Sequence, residues 1–461
     1  MNPRELFYRW TKLRSVKHTT LNPKGPGNVR MHLVPPKFSL RAEESVVILN
    51  GQDIIPLKLS WAIMLAEFIE EMNCYDGKEL TDDDLKRIAR HTIDRTRKVY
   101  YKVPAETLQN DLKIMLKALC DVAYGNEPDG IMIGYRTMGE YAPYMKAPHR
   151  MDLLISAMTK TVDGKKEWNC SQKCLHCYAC GQQQAETEEL TTNQWKQIID
   201  KCRKACIPQL TFTGGEPTMR KDLVELVEYS KWFVTRLNTN GIKLSKELCR
   251  ALYDASLDSV QITFYSSNAD IHNQLVGVKG YDKTVEGIKN AVEAGLSVSI
   301  NTPLCTLNRD YVQTLKFLKS LGVMYVTCSG LIITGNATKD ESKKTQLSGE
   351  ELYQILQDAT KFCEENQMQI SFTSPGWIDE ERLRALKLMV PSCGACLSNM
   401  AIAPDGKVVP CQSWLRGEVL GDMLTDKWKN IWESAACKSK RDYSAQMDQK
   451  CPLRAMNSED K

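Results

Sequence analysis

The chain has 461 residues, a formal net charge of +4 and 42% hydrophobic residues. It is too long for one ordinary domain, and its composition is that of a globular protein. The charge is too small to indicate a nucleic-acid or anionic-membrane partner. No apolar stretch reaches the roughly 18 residues that a membrane span needs, and residues 1–6 lack the apolar core of a signal peptide. We therefore expect a cytoplasmic protein that binds neither nucleic acid nor membrane.

The cysteine content indicates the compartment and the chemistry. There are 17 cysteines, an odd number in a long chain. This count disfavours a secreted disulfide framework and favours thiolate ligands in a reducing compartment. Cys120, Cys249 and Cys363 lie among apolar residues of predicted helices, so we expect them to be buried as small hydrophobic side chains.

The front of the chain predicts a small domain. Residues 1–36 are basic and rich in Pro, Gly and Asn, which predicts an irregular lead-in. Strand-like runs at 38–41, 45–49 and 53–57 flank Asn50-Gly51, a strong hairpin signal. Helical apolar spacing follows at 60–72, 81–100 and 104–124. We predict a hairpin–helix domain over residues 37–125 in which the strand at 45–49 and the next strand present a free edge, and a linker over 126–150.

An alternating pattern then fills residues 151–340. Strands are predicted at 151–158, 209–213, 233–239, 259–265, 297–303 and 324–330, and helices at 193–206, 220–232, 244–255, 281–294 and 311–321. Repeated βα units of this length predict an α/β fold with a parallel sheet. Functional groups are then expected at the carboxyl ends of the strands.

One short loop carries a metal-binding pattern. Cys170, Cys174 and Cys177 have the spacing C-x3-C-x2-C. Three thiolates on one loop can hold three irons of a [4Fe–4S] cube and leave the fourth iron open to a small ligand. A structural zinc site is the alternative, with His176 or Cys180 as the fourth ligand.

A glycine turn follows the strand predicted at 209–213. Gly214-Gly215-Glu216-Pro217 predicts a tight turn whose backbone is open to close approach by a ligand. Together, the cysteine loop and this turn resemble the radical S-adenosylmethionine (SAM) enzymes.

The resemblance implies a partial (β/α)6 TIM-like barrel with SAM chelated by the free iron and cleaved reductively to a 5′-deoxyadenosyl radical. Cys170, Cys174 and Cys177 would then be the catalytic cluster ligands. The residues that the resemblance places around SAM are His176, Tyr178, Gly214, Gly215, Glu216, Asn238, Thr263 and Asn301. Turn, cap or packing roles are the alternative for the polar residues among them.

The C-terminal part contains a second thiol set. A connecting helix and strand are predicted over 341–390, with residues 336–350 as a surface loop. Residues 391–461 then contain Cys393, Cys396 and Cys411, and an Asp-Gly hairpin turn at 405–406 would bring Cys411 back beside the other two. This pattern resembles the SPASM domain in its shorter twitch form. The resemblance implies one auxiliary [4Fe–4S] cluster held by Cys393, Cys396, Cys411 and Cys451. Cys437 is the other candidate for the fourth ligand, and structural zinc is the alternative for the site.

The domain order suggests a function. A hairpin followed by three helices resembles the peptide-recognition domain of peptide-modifying radical SAM enzymes, where a leader peptide adds a strand. The expected function is therefore maturation of a ribosomally made peptide through a thioether or carbon–carbon cross-link. The expected partners are a precursor peptide and a reductant such as flavodoxin or ferredoxin. The alternatives are a small-molecule enzyme of cofactor or metabolite biosynthesis, similar to the molybdenum-cofactor cyclase, and a non-enzymatic iron–sulfur sensor.

Overall fold

The computed structural model describes residues 3–21, 29–36, 44–75, 78–447 and 450–453. The chain forms two compact units. The first comprises Met1–Ala147 and Cys202–Pro208, and the second comprises Pro148–Lys201 and Gln209–Lys461. Among the described residues, no helix is long and apolar enough to cross a membrane.

The first unit contains a four-stranded antiparallel sheet. Its strands, in spatial order, are β1 (Lys17–Leu21), β2 (Val29–Val34), β3 (Ser45–Leu49) and β4 (Asp53–Leu57). Every residue of β2 and β3 is buried, as expected for central strands rich in Val, Ile and Leu. β1 and β4 are the outer strands.

Three long helices follow the sheet and lie where the apolar spacing predicts them. The helices of this unit are α1 (Pro3–Thr11), α2 (Leu59–Asn73), α3 (Asp82–Arg97), α4 (Ala105–Ala123) and α5 (Met138–Tyr141), with a 3-10 turn at Ala142–Tyr144. The apolar side chains of α2 belong to the same hydrophobic core as those of the inner strands. Thr81 and Asp84 form a capping box that fixes the start of α3.

Two predictions for this unit are wrong. Residues 1–36 are not an irregular lead-in, because they supply α1, β1 and β2. Their turn-forming composition conceals two strands that are stabilised by pairing, β1 with β2 and β2 with β3, and not by local propensity. The free edge predicted at residues 45–49 is also wrong, because β3 pairs with β2 on one side and β4 on the other. The strand predicted at 38–41 lies outside the described residues.

The second unit is built on one large sheet. Its strands are β5 (Arg150–Ser156), β8 (Gln209–Gly214), β9 (Val234–Thr239), β10 (Ser259–Thr263), β11 (Ser297–Pro303), β12 (Tyr325–Ser329), β13 (Gln369–Phe372), β14 (Asn399–Ile402), β15 (Lys407–Val409) and β16 (Gly421–Asp422). A separate hairpin consists of β6 (Thr159–Val162) and β7 (Lys165–Trp168). The spatial order in the large sheet is β13-β12-β11-β10-β9-β8-β5-β14-β15-β16. The run from β13 to β14 is parallel, and β15 and β16 are antiparallel additions.

Helices connect the parallel strands. They are α6 (Thr192–Ala205), α7 (Leu223–Tyr229), α8 (Lys246–Asp254), α9 (Ala269–Val276), α10 (Tyr281–Glu293), α11 (Tyr311–Ser320), α12 (Asp340–Lys343), α13 (Gly349–Glu365), α14 (Glu380–Ala385), α15 (Trp428–Trp432) and α16 (Ala435–Ser444). Short 3-10 turns lie at Gln183–Ala185, Pro217–Met219, Thr306–Asn308 and Gly335–Thr338. This alternation confirms the predicted α/β fold with a partial (β/α)6 barrel, whose six strands are β5 and β8–β12.

The sheet continues beyond the six predicted strands on both sides. β13, predicted only as part of a connecting segment, pairs with β12. β14 comes from the cysteine-rich C-terminal segment and pairs in parallel with β5, so that segment shares the barrel's sheet. The predicted hairpin at Asp405-Gly406 joins β14 to β15. It brings the chain back so that the Cys396 nitrogen donates to the Pro410 oxygen over 3.2 Å, one residue before Cys411.

Candidate functional site

A loop after β7 carries the first three thiols. The side chains of Cys170, Cys174 and Cys177 line one cavity of about 500 Å³ in the second unit. Small apolar residues such as Ala179 and Ala185 pack beneath the loop. The geometry therefore gathers three sulfur donors on one wall of a ligand-sized cavity.

Burial opposes ionisation of these thiols. It raises the pKa of Cys170 to about 12 and that of Cys177 to about 11, and it raises the pKa of Cys174 well above the ordinary value. The neighbouring thiols add to the shift for Cys174. Three buried thiolates need a cationic group to neutralise them, and an iron–sulfur cluster supplies one. The donor set therefore fits a [4Fe–4S] cluster.

A distant segment holds this loop in place. The Asn336 nitrogen donates to the Cys177 oxygen over 2.9 Å, and Asn336 Nδ2 donates to the Cys174 oxygen over 3.0 Å. Ser342 Oγ donates to the Leu175 oxygen over 2.8 Å. Residues 336–350 are therefore not the simple surface loop that their charged composition predicts, because this stretch satisfies carbonyl groups of the cysteine loop.

Close approach of the two segments depends on a glycine. A Cβ atom at Gly335 would lie 2.5 Å from the Cys177 oxygen and 2.4 Å from the Tyr178 oxygen. Gly335 also has φ of +57°, which side chains rarely adopt. Only glycine allows the backbone to pass over the cysteine loop at this distance.

The glycine turn after β8 lies against the first cysteine. The Gly215 oxygen is 3.6 Å from Cys170 Sγ. A Cβ atom at Gly214 would lie 2.2 Å from the Ser156 oxygen, and one at Gly215 would lie 2.7 Å from the Ala157 oxygen. The paired glycines therefore let the end of β8 pack directly on the chain that follows β5.

Glu216 is held by protein groups. Its carboxylate accepts from the Thr218 nitrogen over 3.0 Å, from Thr239 Oγ1 over 2.7 Å and from the Asn240 nitrogen over 2.8 Å. Burial raises the pKa of Glu216, and these hydrogen bonds oppose the shift. The carboxylate thus ties the turn after β8 to the end of β9, so its contribution to the cavity is to position main-chain groups.

All eight residues predicted to surround SAM line the cavity: His176, Tyr178, Gly214, Gly215, Glu216, Asn238, Thr263 and Asn301. Among the described residues, nothing hydrogen-bonds to the buried Oδ1 atom of Asn238, which leaves it available to a ligand. Asn301 Oδ1 instead accepts from Thr327 Oγ1 over 3.0 Å, which leaves its amide nitrogen and one lone pair of this oxygen for a ligand.

His176 is fixed and neutral. Its Nε2 atom is 2.7 Å from Thr345 Oγ1, and burial lowers the pKa of its imidazole to about 4. A neutral ring at this point can accept or donate a hydrogen bond without bringing a charge to the cavity.

Several cavity residues were not predicted from the sequence. They include Gln172, Asn240, Arg236 and Tyr265. Asn240 Nδ2 donates to Ser171 Oγ over 2.8 Å and lies 3.9 Å from Cys170 Sγ. The period-two alternation of β9 is a usable signal for Arg236, because residues 236 and 238 fall on one face of the strand and Asn238 is already predicted to face the cavity.

The second thiol set lines the same cavity. Cys393, Cys411 and Cys451 all contribute to its wall. Burial raises the pKa of Cys411 to about 12, and Cys451 and Cys393 are close enough to add to the shift. The sequence placed these thiols in a separate domain and did not predict that one cavity would connect the two sets.

Cys396 lies behind this wall. It is fully buried and hydrogen-bonds to Cys437, whose sulfur is 3.6 Å from Arg441 Nη1. The hydrogen bond with Cys396 and the Arg441 guanidinium lower the pKa of the Cys437 thiol, and the same hydrogen bond raises that of Cys396. Four predicted ligands, Cys393, Cys396, Cys411 and Cys451, and the alternative Cys437 are therefore near neighbours.

Tyr178 lies between the two thiol sets. Burial raises the pKa of its phenol, and the nearby thiols of Cys177 and Cys411 add to the shift. Its hydroxyl hydrogen-bonds to Thr213 at the end of β8. An aromatic ring thus separates the sulfur groups that come from opposite ends of the second unit.

Two family models match this unit. The "Radical SAM superfamily" model matches residues 169–318, which begin at the cysteine loop. The SPASM model, described as an "Iron-sulfur cluster-binding domain", matches residues 393–453. The two matches contain all six thiols that line the cavity.

Individual relatives share about a quarter of their aligned residues with this chain. The chain is 27% identical over 302 residues to an "AdoMet-dependent heme synthase" of Methanosarcina barkeri, covering 62% of this chain and 85% of that protein. It is 27% identical over 298 residues to a "PqqA peptide cyclase" of Rhodopseudomonas palustris, covering 61% and 75%.

A solved structure resembles nearly the whole chain. Streptococcus suis SuiB, crystallised with the precursor peptide SuiA, matches with a TM-score of 0.59 and 14% identity over 91% of this chain and 95% of that chain. At this identity the likeness establishes the fold.

Proposed function

Because the chain belongs to the radical SAM superfamily and carries a SPASM domain, we propose that it is a maturase that cross-links a ribosomally made peptide. The protein is an enzyme whose cofactors are SAM, a SAM-binding [4Fe–4S] cluster and an auxiliary iron–sulfur cluster. The proposal concerns the substrate, the bond formed and the residues that take part.

We assign the SAM-binding cluster to Cys170, Cys174 and Cys177. A bound [4Fe–4S] cluster with an open iron supplies the electron that cleaves SAM to a 5′-deoxyadenosyl radical. The chain's own part is to hold the three sulfur atoms through the Asn336 contacts and to present the Gly215 main chain and the free Asn238 oxygen to SAM. Electrons would come from a reductant such as flavodoxin or ferredoxin.

We assign the auxiliary cluster to Cys393, Cys396, Cys411 and Cys451. Cys393, Cys411 and Cys451 line the cavity, so this cluster would lie within the space that also contains the SAM site. An auxiliary cluster held by these thiols would supply an acceptor for the electron left on a substrate radical. Tyr178 would separate the two clusters.

The observation that supports a peptide substrate is the first unit. It has a hydrophobic core of its own, and its main segment, which ends at Ala147, precedes every assigned cluster cysteine. The likeness to SuiB, a protein crystallised with a precursor peptide, extends over this unit as well as the barrel, since it covers 91% of the chain. The peptide cyclase relative supports the same substrate class. We therefore infer that the first unit recognises a leader peptide.

The outer edge of β4 is the proposed leader site. The Ile54 oxygen accepts from the Arg136 nitrogen over 2.9 Å, so Ile54 and, by alternation, Pro56 point their main-chain groups outward. Proline in an outer position leaves the pairing with β3 intact because its missing N–H faces away from that strand. An added strand would pair with Ile54 and displace Arg136.

Hydrogen–deuterium exchange tests this assignment. If the gene has a short reading frame beside it, the peptide that this frame encodes would be synthesised and mixed with the reconstituted enzyme. We expect protection to rise at Ile54 and to fall at the Arg136 amide. Protection confined to the second unit would contradict a leader site on β4.

A small-molecule substrate is the second candidate. The 27% identity to a heme synthase, over 85% of that protein, supports it. In that case SAM cleavage would respond to a small molecule and not to any peptide encoded beside this gene.

A further inference from the structure

The lumen of the barrel contains an unusual polar layer below the predicted SAM residues. Asp152 on β5, Thr211 on β8 and Arg236 on β9 are in register on three adjacent parallel strands, so their side chains share one face of the sheet. Arg236 and Thr211 line the cavity. Arg236 is two residues before Asn238, which places it about 7 Å deeper along the strand.

The charged side chains in and beside this layer, Arg150, Asp152 and Arg236, carry one net positive charge. Arg150 forms a two-pronged ion pair with Asp152, with Nε and Nη2 at 2.8 and 3.2 Å from the two carboxylate oxygens. Asp152 is fully buried and forms its ion pair with Arg150, so it offsets the charge of Arg236 only in part. Within the described part of the chain, no carboxylate lies within ion-pair distance of the Arg236 guanidinium, and Glu216 is held by donors elsewhere in the cavity.

The surroundings disfavour an uncompensated cation. Burial lowers the pKa of Arg236, and the nearby Arg150 adds to the shift, while Asp152 opposes it. A guanidinium remains charged even so, and burying it without an anion is costly. Thr211 is 1% exposed, and among the described residues nothing hydrogen-bonds to its hydroxyl oxygen. An unused cation and an unused hydroxyl therefore stand on neighbouring strands and face the same cavity.

We propose that Arg236 and Thr211 bind a carboxylate of the substrate peptide, supplied by an acidic side chain or by a free C-terminus. A guanidinium presents two parallel N–H groups that match the two oxygens of a carboxylate, and the threonine hydroxyl adds a third donor. A single net positive charge suits a carboxylate better than a phosphate, which carries nearly two negative charges. This inference rests on the proposed peptide substrate.

The depth of the site gives it a role in the reaction. A carboxylate held below Asn238 anchors one residue of the peptide beneath the predicted SAM residues. The neighbouring residues of the peptide are then presented to the adenosyl side of the cavity. Arg236 is therefore a specificity residue that selects which part of the peptide enters the barrel.

Binding of defined probes to the reconstituted enzyme with SAM tests the proposal. The probes are an acetylated, amidated alanine peptide with one central glutamate, its glutamine counterpart, and the glutamine peptide with a free C-terminus. We expect calorimetry to show about tenfold or tighter binding of the glutamate peptide than of the glutamine peptide, because a charged hydrogen-bonded pair is lost. A gain from the free C-terminus without a gain from the glutamate would identify the C-terminal carboxylate as the anchor.

Variants of Arg236 and a control arginine test whether the preference for the glutamate peptide depends on Arg236. Arg236→Gln should remove the preference for the glutamate peptide. Arg236→Lys should retain part of this preference, because lysine keeps the positive charge but lacks the two parallel N–H groups of a guanidinium. Arg250→Gln, on the exposed face of α8 where Arg250 pairs with Asp254, should leave it unchanged. Iron content equal to that of the unmodified enzyme confirms that each variant is folded.

Binding of glutarate, a carboxylate that is not a peptide, distinguishes failure of the carboxylate site from failure of the proposed peptide function. If no peptide binds while glutarate binds the unmodified enzyme and not Arg236→Gln, the anion site stands and the peptide function is wrong. Equal binding of all three peptides, a preference that survives in Arg236→Gln, or no binding of any probe overturns the proposal.

Discussion

The main-chain nitrogen of Asn336 donates a hydrogen bond to the Cys177 oxygen over 2.9 Å, although the two residues are far apart in the sequence. The Asn336 side chain also donates to the Cys174 oxygen. Asn336, in the segment that follows β12, therefore fixes two carbonyl groups of the cysteine loop. The loop conformation that gathers the three thiols depends on the end of the barrel as well as on its own sequence.

Replacing Asn336 with alanine should loosen the loop. The variant loses one hydrogen bond to Cys174, worth about 1 kcal/mol, while its main-chain bond to Cys177 remains. We expect slower cluster reconstitution and a lower melting temperature of the apo-protein. Asn366→Ala is the control, because Asn366 makes its side-chain contacts at the end of α13, far along the chain from the loop. Equal reconstitution rates in the two variants would contradict this role.

The two thiol sets should have separable functions. Cys174→Ala should abolish 5′-deoxyadenosine formation, because a cube that lacks one of three thiolates cannot present its open iron correctly. Cys411→Ala should keep some SAM cleavage and lose the modified product. Cys74→Ala, at an exposed cysteine of the first unit, serves as the control. Complete loss of SAM cleavage in a folded Cys411→Ala variant would show that the division of labour is wrong.

Iron content should distinguish the candidates for the fourth auxiliary ligand. Two cubes give about eight irons per chain after anaerobic reconstitution. Cys451→Ser should lower this towards half, because Cys451 lines the cavity with Cys393 and Cys411. Cys437→Ser should retain the iron, because Arg441 Nη1, 3.6 Å from the Cys437 sulfur, already gives that sulfur a cationic partner. Loss of iron in Cys437→Ser but not in Cys451→Ser would identify Cys437 as the fourth ligand. Zinc bound at the second site would show that the assignment of an auxiliary cluster is wrong.

The first unit should be sensitive to acid through His18. Burial lowers the pKa of His18 well below its ordinary value, with a contribution from His32, whose ring lies 4.6 Å away. The folded state therefore resists a proton that the unfolded state accepts near pH 6.5, so stability is lost as the pH falls below that value. We expect His18→Gln to show a smaller drop in melting temperature between pH 7.5 and 5.5. An identical drop would assign the acid sensitivity to other groups.

Local patterns were sufficient for the chemistry of the site. The spacing of Cys170, Cys174 and Cys177 and the Gly214-Gly215 turn each lie within a few consecutive residues. They can therefore be recognised without knowledge of distant contacts. Strand alternation placed Asn238, Thr263 and Asn301 at strand ends, and all three line the cavity. Their contacts to SAM remain predictions.

Features that depend on distant contacts were not predictable. Asn336 and Ser342 lie in a charged segment whose composition suggests only solvent exposure. β1 becomes a strand because it pairs with β2, β2 because it pairs with β3, and β14 joins the barrel because β5 offers it a parallel edge. Arg236 could have been identified from the alternation of β9, but only the structure reveals that Asp152 is already paired with Arg150.

Mass spectrometry of the candidate precursor peptide tests the central claim most directly. The reconstituted enzyme would be incubated with SAM, a reductant and the peptide encoded beside this gene. We predict peptide-dependent formation of 5′-deoxyadenosine together with a peptide that has lost the mass of two hydrogen atoms for each cross-link. Formation of 5′-deoxyadenosine at the same rate with and without the peptide, and a peptide of unchanged mass, would contradict the account.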